Sequence, residues 1–116
     1  KLKKYIAIKG FSVEFPYEYF NASKINTSTV AFISNVDNNT FIKVESLSET
    51  AYYNEYNMGD NYLNVGVNEK DGYDYQYKYF RGNGLYLKIT KCIRTGEEDL
   101  SISPMMDFMI NSLDLE

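Results

Sequence analysis

The chain has no histidine, no tryptophan, one cysteine and two prolines among its 116 residues. Without histidine, neither a Ser-His-Asp triad nor a Cys-His pair can form, and the most common general base and metal ligand is missing. The single cysteine, Cys92, excludes an internal disulfide and a cysteine-rich metal site. We therefore predict no catalytic residue, no metal, no cofactor and no enzymatic activity.

Carboxylates leave one enzymatic alternative open. Two of Glu14, Glu18, Glu45 and Glu49 could converge as the acid–base pair of a glycosidase. Carboxylates at this density are more often surface charge. Cys92 lies in a predicted strand, where a small buried thiol is more common than a nucleophile.

Long apolar runs and positive charge are also scarce. No stretch of about 18 apolar residues is present, so no segment is expected to span a membrane. With two arginines and a net charge of −4, the chain is poorly suited to binding nucleic acid, which requires neutralised phosphates. The run at Lys1, Lys3 and Lys4 is expected to be a solvated end. Since the chain begins at Lys1, we expect that an upstream leader or lipid-anchor segment was removed; that segment is the one expected route to a membrane.

The composition favours β structure in one domain. The chain has a common domain size, 44% hydrophobic residues, 12 tyrosines and 7 phenylalanines. Aromatic and β-branched residues suit pleated, half-buried surfaces. No linker, repeat or low-complexity tract divides the sequence, so we predict a single α+β domain over residues 1–116.

The first clear strand signal is FSVEF, residues 11–15, where apolar and polar positions alternate. Pro16 is expected to end this strand because it cannot donate to a ladder. The following segment has too many polar residues for a core strand. We expect Tyr17, Tyr19 and Phe20 to tuck under the edge of the sheet.

Further strands are predicted on both sides of a short helix. Residues 29–35 and 40–47 are expected to form a hairpin around Asp37, Asn38 and Asn39, which favour turns. Residues 48–57 are predicted to form one or two helical turns that begin near Ser48 or Thr50. In YLNVGVN, residues 62–68, alternation predicts another strand.

The C-terminal segment carries the clearest helix signal. Ser103 is a suitable N-cap, Pro104 suits the first helical position, and Asp107 lies near the positive end of the helix dipole. The apolar positions that follow recur with helical spacing and predict a face that packs on the sheet: Met106, Met109, Ile110 and Leu113.

Residues 73–80, YDYQYKYF, place a tyrosine at every second position. In a strand these side chains share one face, in a row roughly 20 Å long. The next strand, residues 85–93, follows Asn83-Gly84, a dipeptide that favours a two-residue turn. Such a turn places the odd positions of the first strand on the same face as the even positions of the second. The tyrosines are therefore expected opposite the aliphatic core.

The candidate ligand-binding residues are these tyrosines with one from the next strand: Tyr73, Tyr75, Tyr77, Tyr79 and Tyr86. Their face is either packed beneath another element or open to stack on a sugar, a peptide or a partner surface. Large exposed aromatic patches are uncommon on monomers, which favours the packed alternative.

In its order of elements the chain resembles the PsbP-like domain superfamily, named for an accessory subunit of photosystem II. The resemblance is carried by FSVEFP, Phe11 to Pro16, which runs into an aromatic-containing loop, by the antiparallel meander, and by the short closing helix from Pro104 to Leu113. Such domains often carry tryptophan soon after the proline, where this chain has Tyr17 and Tyr19.

The resemblance implies an antiparallel β-sheet meander with helices on both sides, an α/β/α sandwich in which the C-terminal amphipathic helix packs on the sheet. It also implies a non-enzymatic role in binding or stabilising other proteins, and export from a bacterium, commonly as a lipoprotein. No catalytic residue can be carried over, because the shared motifs are packing motifs.

Two binding hypotheses follow, besides the enzymatic alternative. The preferred one is a protein-interaction or structural domain of an exported or cell-surface protein with an unknown protein partner; a cytoplasmic location is the alternative. The other is a carbohydrate- or peptide-binding module that uses an exposed tyrosine face. A monomer or a weak dimer is expected, since a tyrosine-rich strand edge can pair with a second copy.

Overall fold

The structure is a computed structural model that describes residues 2–6, 10–64, 72–96 and 102–115. These residues form an α+β fold with antiparallel strands and two helices, as the sequence predicts. Neither described helix has an apolar stretch long enough to cross a bilayer. In chain order the elements are β1 (Leu2–Ile6), β2 (Phe11–Pro16), β3 (Phe20–Asn26), β4 (Thr29–Ser34), β5 (Phe41–Ser46), α1 (Glu49–Asn64), β6 (Tyr73–Gly82), β7 (Leu85–Arg94), α2 (Ile102–Asn111) and β8 (Asp114–Leu115).

The described strands form two sheets. The larger has five strands in the order β3-β4-β5-β7-β6, and the smaller has three in the order β1-β2-β8. The prediction of one sheet in meander order is wrong, because the described strands form two sheets and β5 pairs with β7. The hairpin predicted around Asp37 is confirmed as β4 and β5. Its turn is held by Asp37, whose Oδ1 accepts from the Asn39 amide at 3.0 Å and whose backbone carbonyl accepts from the Thr40 amide at 3.0 Å.

The core lies between the two sheets and α2. The odd positions of β2 are buried there as the alternation predicts, and Phe15 packs against Phe32 of β4 with ring centroids 5.1 Å apart. Tyr5 of β1 meets the same Phe32 edge-on at 5.7 Å. Burial of such rings from distant segments holds the sheets together, since each removes a large apolar area from water.

The C-terminal helix is confirmed, and it packs against β2 and β7. Met106 and Met109 are fully buried, and Ile110 is 4% exposed. Leu113 follows the end of the helix and is half-buried. Ser103 lies in the first turn rather than before it, and its Oγ accepts from the Lys91 ammonium at 2.8 Å.

The other helix is longer than expected. Ser48 caps α1, since its Oγ accepts from the Ala51 amide at 3.1 Å, as the sequence predicts. The helix then continues to Asn64, so residues 62–64 of the predicted strand are helical. Residues 65–68 of that prediction lie outside the described residues. The strand prediction depended on a short alternation of apolar and polar residues. Once a helix is capped and packed on a sheet, each residue added to it gains one hydrogen bond, which favours continuing the helix.

The segment after Pro16 forms the edge strand β3. Phe20 is fully buried, as expected, but Tyr17 and Tyr19 are 49% and 50% exposed, so the prediction that they tuck under the sheet is wrong. The polar content that argued against a core strand is compatible with an edge strand, which pairs on one side only.

Candidate functional site

The turn between β6 and β7 places the tyrosine row. Gly82 pairs with Leu85, so the loop consists of Asn83 and Gly84. Both have positive φ, 51° and 79°, as a type I′ turn requires. The predicted parity is therefore confirmed. The four tyrosines of β6 lie opposite Lys88, Thr90, Cys92 and Arg94 of β7, on the face away from the aliphatic core.

All four row tyrosines and Tyr86 are half-buried, whereas the alternate residues Asp74, Gln76 and Lys78 are exposed. Helix α1 packs over this face at β6 and β7. The row is therefore neither fully covered nor fully open, and its members have different surroundings at its two ends.

At one end, Tyr73 is tied to the β4–β5 turn. Its hydroxyl donates to Asp37 Oδ2 at 2.8 Å, and the Arg94 guanidinium donates to the same oxygen at 2.7 Å. Desolvation acts to raise the pKa of Asp37, but hydrogen bonds from the Asn39 amide, Tyr73 and Thr40 and the charge of Arg94 outweigh it, so the pKa is lowered. Desolvation and the bond to Asp37 raise the pKa of Tyr73. Tyr73 therefore joins two parts of the fold.

At the other end, Tyr79 and Tyr86 pack against Tyr52 of α1. Their ring centroids lie 5.8 Å and 5.3 Å from that of Tyr52, which is 3% exposed. Glu55 accepts from the Tyr79 hydroxyl at 3.2 Å and pairs with the Lys88 ammonium at 2.9 Å. Burial raises the pKa of Tyr52. These contacts attach the helix to the sheet.

The middle of the row has a different character. The rings of Tyr75 and Tyr77 stack at 6.5 Å with 26° between their planes, and the Lys88 ammonium lies 4.6 Å from the centroid of Tyr77. Beside them Thr90 is 3% exposed, and its hydroxyl has no hydrogen-bond partner among the described residues. Cys92 is 1% exposed and donates to the Asn39 carbonyl at 3.1 Å. In the middle of the row, Tyr75 and Tyr77 therefore contact each other, and Tyr77 also contacts the Lys88 side chain of β7.

The glutamates of the enzymatic alternative are spread over β2, the turn after it, β5 and α1. Glu45 pairs with Lys43 at 3.7 Å. Across the part of the chain that the structure describes, no three acidic, cysteine or histidine side chains are grouped so as to hold a metal ion.

A second surface, which the sequence did not indicate, lies between β1 and β3, where an edge of each sheet meets the other. This β1–β3 groove has a volume of about 310 Å³. Its wall residues include Lys3, Tyr5, Phe15, Tyr17, Phe20 and Ala22. A smaller recess of about 40 Å³ shares Tyr5 and continues to Lys24. The sequence signal for this surface was that Phe20, Ala22 and Lys24 alternate as in a strand. The many polar residues of the same segment made that alternation hard to recognise.

Comparison with known proteins informs the fold alone. No protein-family model matches the chain, and no curated protein does. A solved structure from Bacteroides thetaiotaomicron VPI-5482 is similar, with a TM-score of 0.55 and 13% sequence identity. The alignment covers 98% of this chain and 48% of that one, so the present chain spans about half the length of that protein.

Proposed function

We propose that this chain is a non-enzymatic protein-interaction domain of an exported or cell-surface bacterial protein, and that it contacts its partner through the β1–β3 groove. The observation that carries the proposal is the edge strand β3 beside a groove lined by aromatic rings. Edge strands with accessible backbone groups are a recurrent means of binding extended polypeptides.

Exposed tyrosines at the start of β3 support this choice. Tyr17, which lines the groove, and Tyr19 are 49% and 50% exposed. Tyrosine is enriched in protein interfaces.

We also propose that the fold is a PsbP-like α/β/α sandwich. Helices α1 and α2 both contact β7, α1 on the tyrosine face and α2 on the core face, and FSVEFP forms β2 as the resemblance requires. A protein-binding role is what that resemblance implies, and it agrees with the groove.

The proposal is tested by capture from native bacterial extract with matched variants. Ala22→Pro removes an amide that points away from β4 and should abolish retention of the partner with little loss of stability. Tyr75→Ala, on the other side of the sheet, should retain it. A partner held equally by the wild-type protein and Ala22→Pro would contradict the proposal, as would substrate turnover by a domain that captures no protein.

A second candidate function rests on the stacked Tyr75 and Tyr77. Two half-buried rings beside the Lys88 ammonium form a surface on which a sugar or peptide could stack. If so, Tyr75→Ala abolishes ligand binding with little loss of stability. A loss of about 3 kcal/mol or more, the range for deletion of a buried aromatic, would instead assign the ring to packing.

A further inference from the structure

We propose that the occupant of the β1–β3 groove is an extended acidic polypeptide segment, which adds to β3 as a further strand of the larger sheet. This inference rests on the proposed function and goes beyond it by naming the chemistry of the partner. It depends on the direction of the β3 backbone groups, on the charge of the groove and on the rings at its floor.

The backbone of β3 presents alternate residues to its open edge. The Asn35 amide donates to the Tyr19 carbonyl at 2.9 Å, so Tyr19 and Asn35 form a hydrogen-bonded pair. The next pair along the two strands is Phe20 with Ser34. Ser34 directs its own amide to Thr40 of the opposite neighbour at 2.9 Å. Since bonded and non-bonded pairs alternate in an antiparallel ladder, Phe20 and the alternate residues after it direct their amides and carbonyls outward.

The outward residues are therefore Phe20, Ala22 and Lys24, and no described strand pairs with them. Val30 belongs to the core and is the cross-strand partner of Lys24. The side chains of Phe20, Ala22 and Lys24 therefore lie on the core-facing side of the sheet. A strand that bonded these backbone groups would insert every second side chain between the two sheets, into the groove.

The groove is basic in a chain whose net charge is −4. Lys3 lines the groove on the face of Phe15, and Lys24 lines the smaller recess that shares Tyr5 with it. No aspartate or glutamate lines either. Lysine on an edge strand disfavours pairing with unselected apolar strands, whereas an acidic strand neutralises it and gains attraction.

The floor of the groove is apolar. Phe15 is 3% exposed and Phe20 fully buried, and Tyr5 packs edge-on against Phe32 of the core. Lys3 pairs across with Phe15 and so lies on the same face as these rings. A complementary strand therefore carries apolar side chains at its centre and carboxylates at its ends on one face, a pattern with period 2.

A heptapeptide with this pattern is the probe, Glu-Thr-Val-Thr-Val-Thr-Glu, which matches the seven residues of β3 and carries a fluorescent label. Fluorescence anisotropy should show saturable binding to the wild-type chain that weakens as salt is added. Lys24→Glu should weaken binding about tenfold or more, and Ala22→Pro should abolish it. Ser23→Ala, on the opposite face of β3, is the control and should bind normally.

Two modified peptides test the mode of binding. N-methylation of both valines removes the amides that would bond β3 and should abolish binding, whereas N-methylation of the outer threonines should not. Replacement of both glutamates by lysine should also abolish it. Equal binding of the glutamate and lysine peptides would overturn the acidic partner, and unchanged binding after valine methylation would overturn strand addition. Tighter binding of a thymidine heptanucleotide would assign the groove to nucleic acid.

The two proposals can fail separately. A native partner that is lost with Ala22→Pro but retained by Lys24→Glu in high salt would refute the acidic segment and leave the interaction domain standing. Failure to capture any protein, together with no peptide binding, would refute both.

Discussion

Asp107→Ala should lower the free energy of unfolding by about 2 kcal/mol, whereas Lys91→Met should change it by no more than about 1 kcal/mol. Lys91 lies in β7 with its side chain 5% exposed, and its ammonium donates to Asp107 at 2.9 Å and to Ser103 at 2.8 Å. The pair links the sheet to α2, so the two substitutions test whether the buried charge or its partner matters more for stability.

The magnitude follows from the unequal burial of the two partners. Removing one member of a buried pair costs about 3–5 kcal/mol because the other charge is left unpaired, whereas exposed pairs contribute about 0.2–1 kcal/mol. Asp107 is 55% exposed, so its loss lets water reach the ammonium, and Ser103 remains as an acceptor. Lys91→Met keeps a straight apolar chain and removes the charge. The remaining cost is the lost hydrogen bond to Ser103, which is worth about 1 kcal/mol.

Urea unfolding followed by circular dichroism measures both effects, with Asp107→Asn as a control of similar shape. In the Lys91→Met background, Asp107→Ala should cost almost nothing, because the charge that needed the carboxylate is gone. The reasoning is refuted if Asp107→Ala costs the same in both backgrounds, or if Lys91→Met is the more destabilising single change.

Three further outcomes are expected. Because the pKa of Asp37 lies below its ordinary 3.8 in the folded state, its contribution to stability is present above that value and is lost as the pH falls through the folded-state pKa. Asp37→Asn should therefore flatten the acid limb of a stability–pH profile, and parallel profiles would contradict this. Gly84→Ala should lower the free energy of unfolding by about 1 kcal/mol or more, since φ is 79° there; a calorimetric melt that Gly84→Ala leaves unchanged would oppose it. Nitration read by mass spectrometry should modify Tyr17, 49% exposed, well before Tyr52, 3% exposed, and similar rates would argue against the packing of α1 on the sheet.

The features that the sequence predicted well have local causes. Asn83-Gly84 adopts positive φ more readily than other dipeptides, so the turn length, the register and the face of the tyrosine row follow from those two residues. Asp37 accepts from its own turn, and the stripe at Met106 and Met109 has helical spacing whatever it packs against.

The errors concern contacts between distant segments. The prediction for residues 62–64 relied on a short alternation and could not include the packing of Tyr52 on β6 and β7, which supports a longer α1. Tyr17 and Tyr19 were expected to be covered because they are aromatic, but no described element lies over the edge where β3 begins.

Alternation along one strand is a property of the local chain, so the sequence by itself determined that the tyrosines share a face and that this face is opposite the aliphatic one. Strand order and the placement of the two sheets are non-local, and only the tertiary structure decided what each tyrosine meets. It ties Tyr73 to Asp37 and Tyr79 to α1. The β1–β3 groove likewise exists because Lys3 and Ala22, far apart in the chain, lie on the edges of two different sheets.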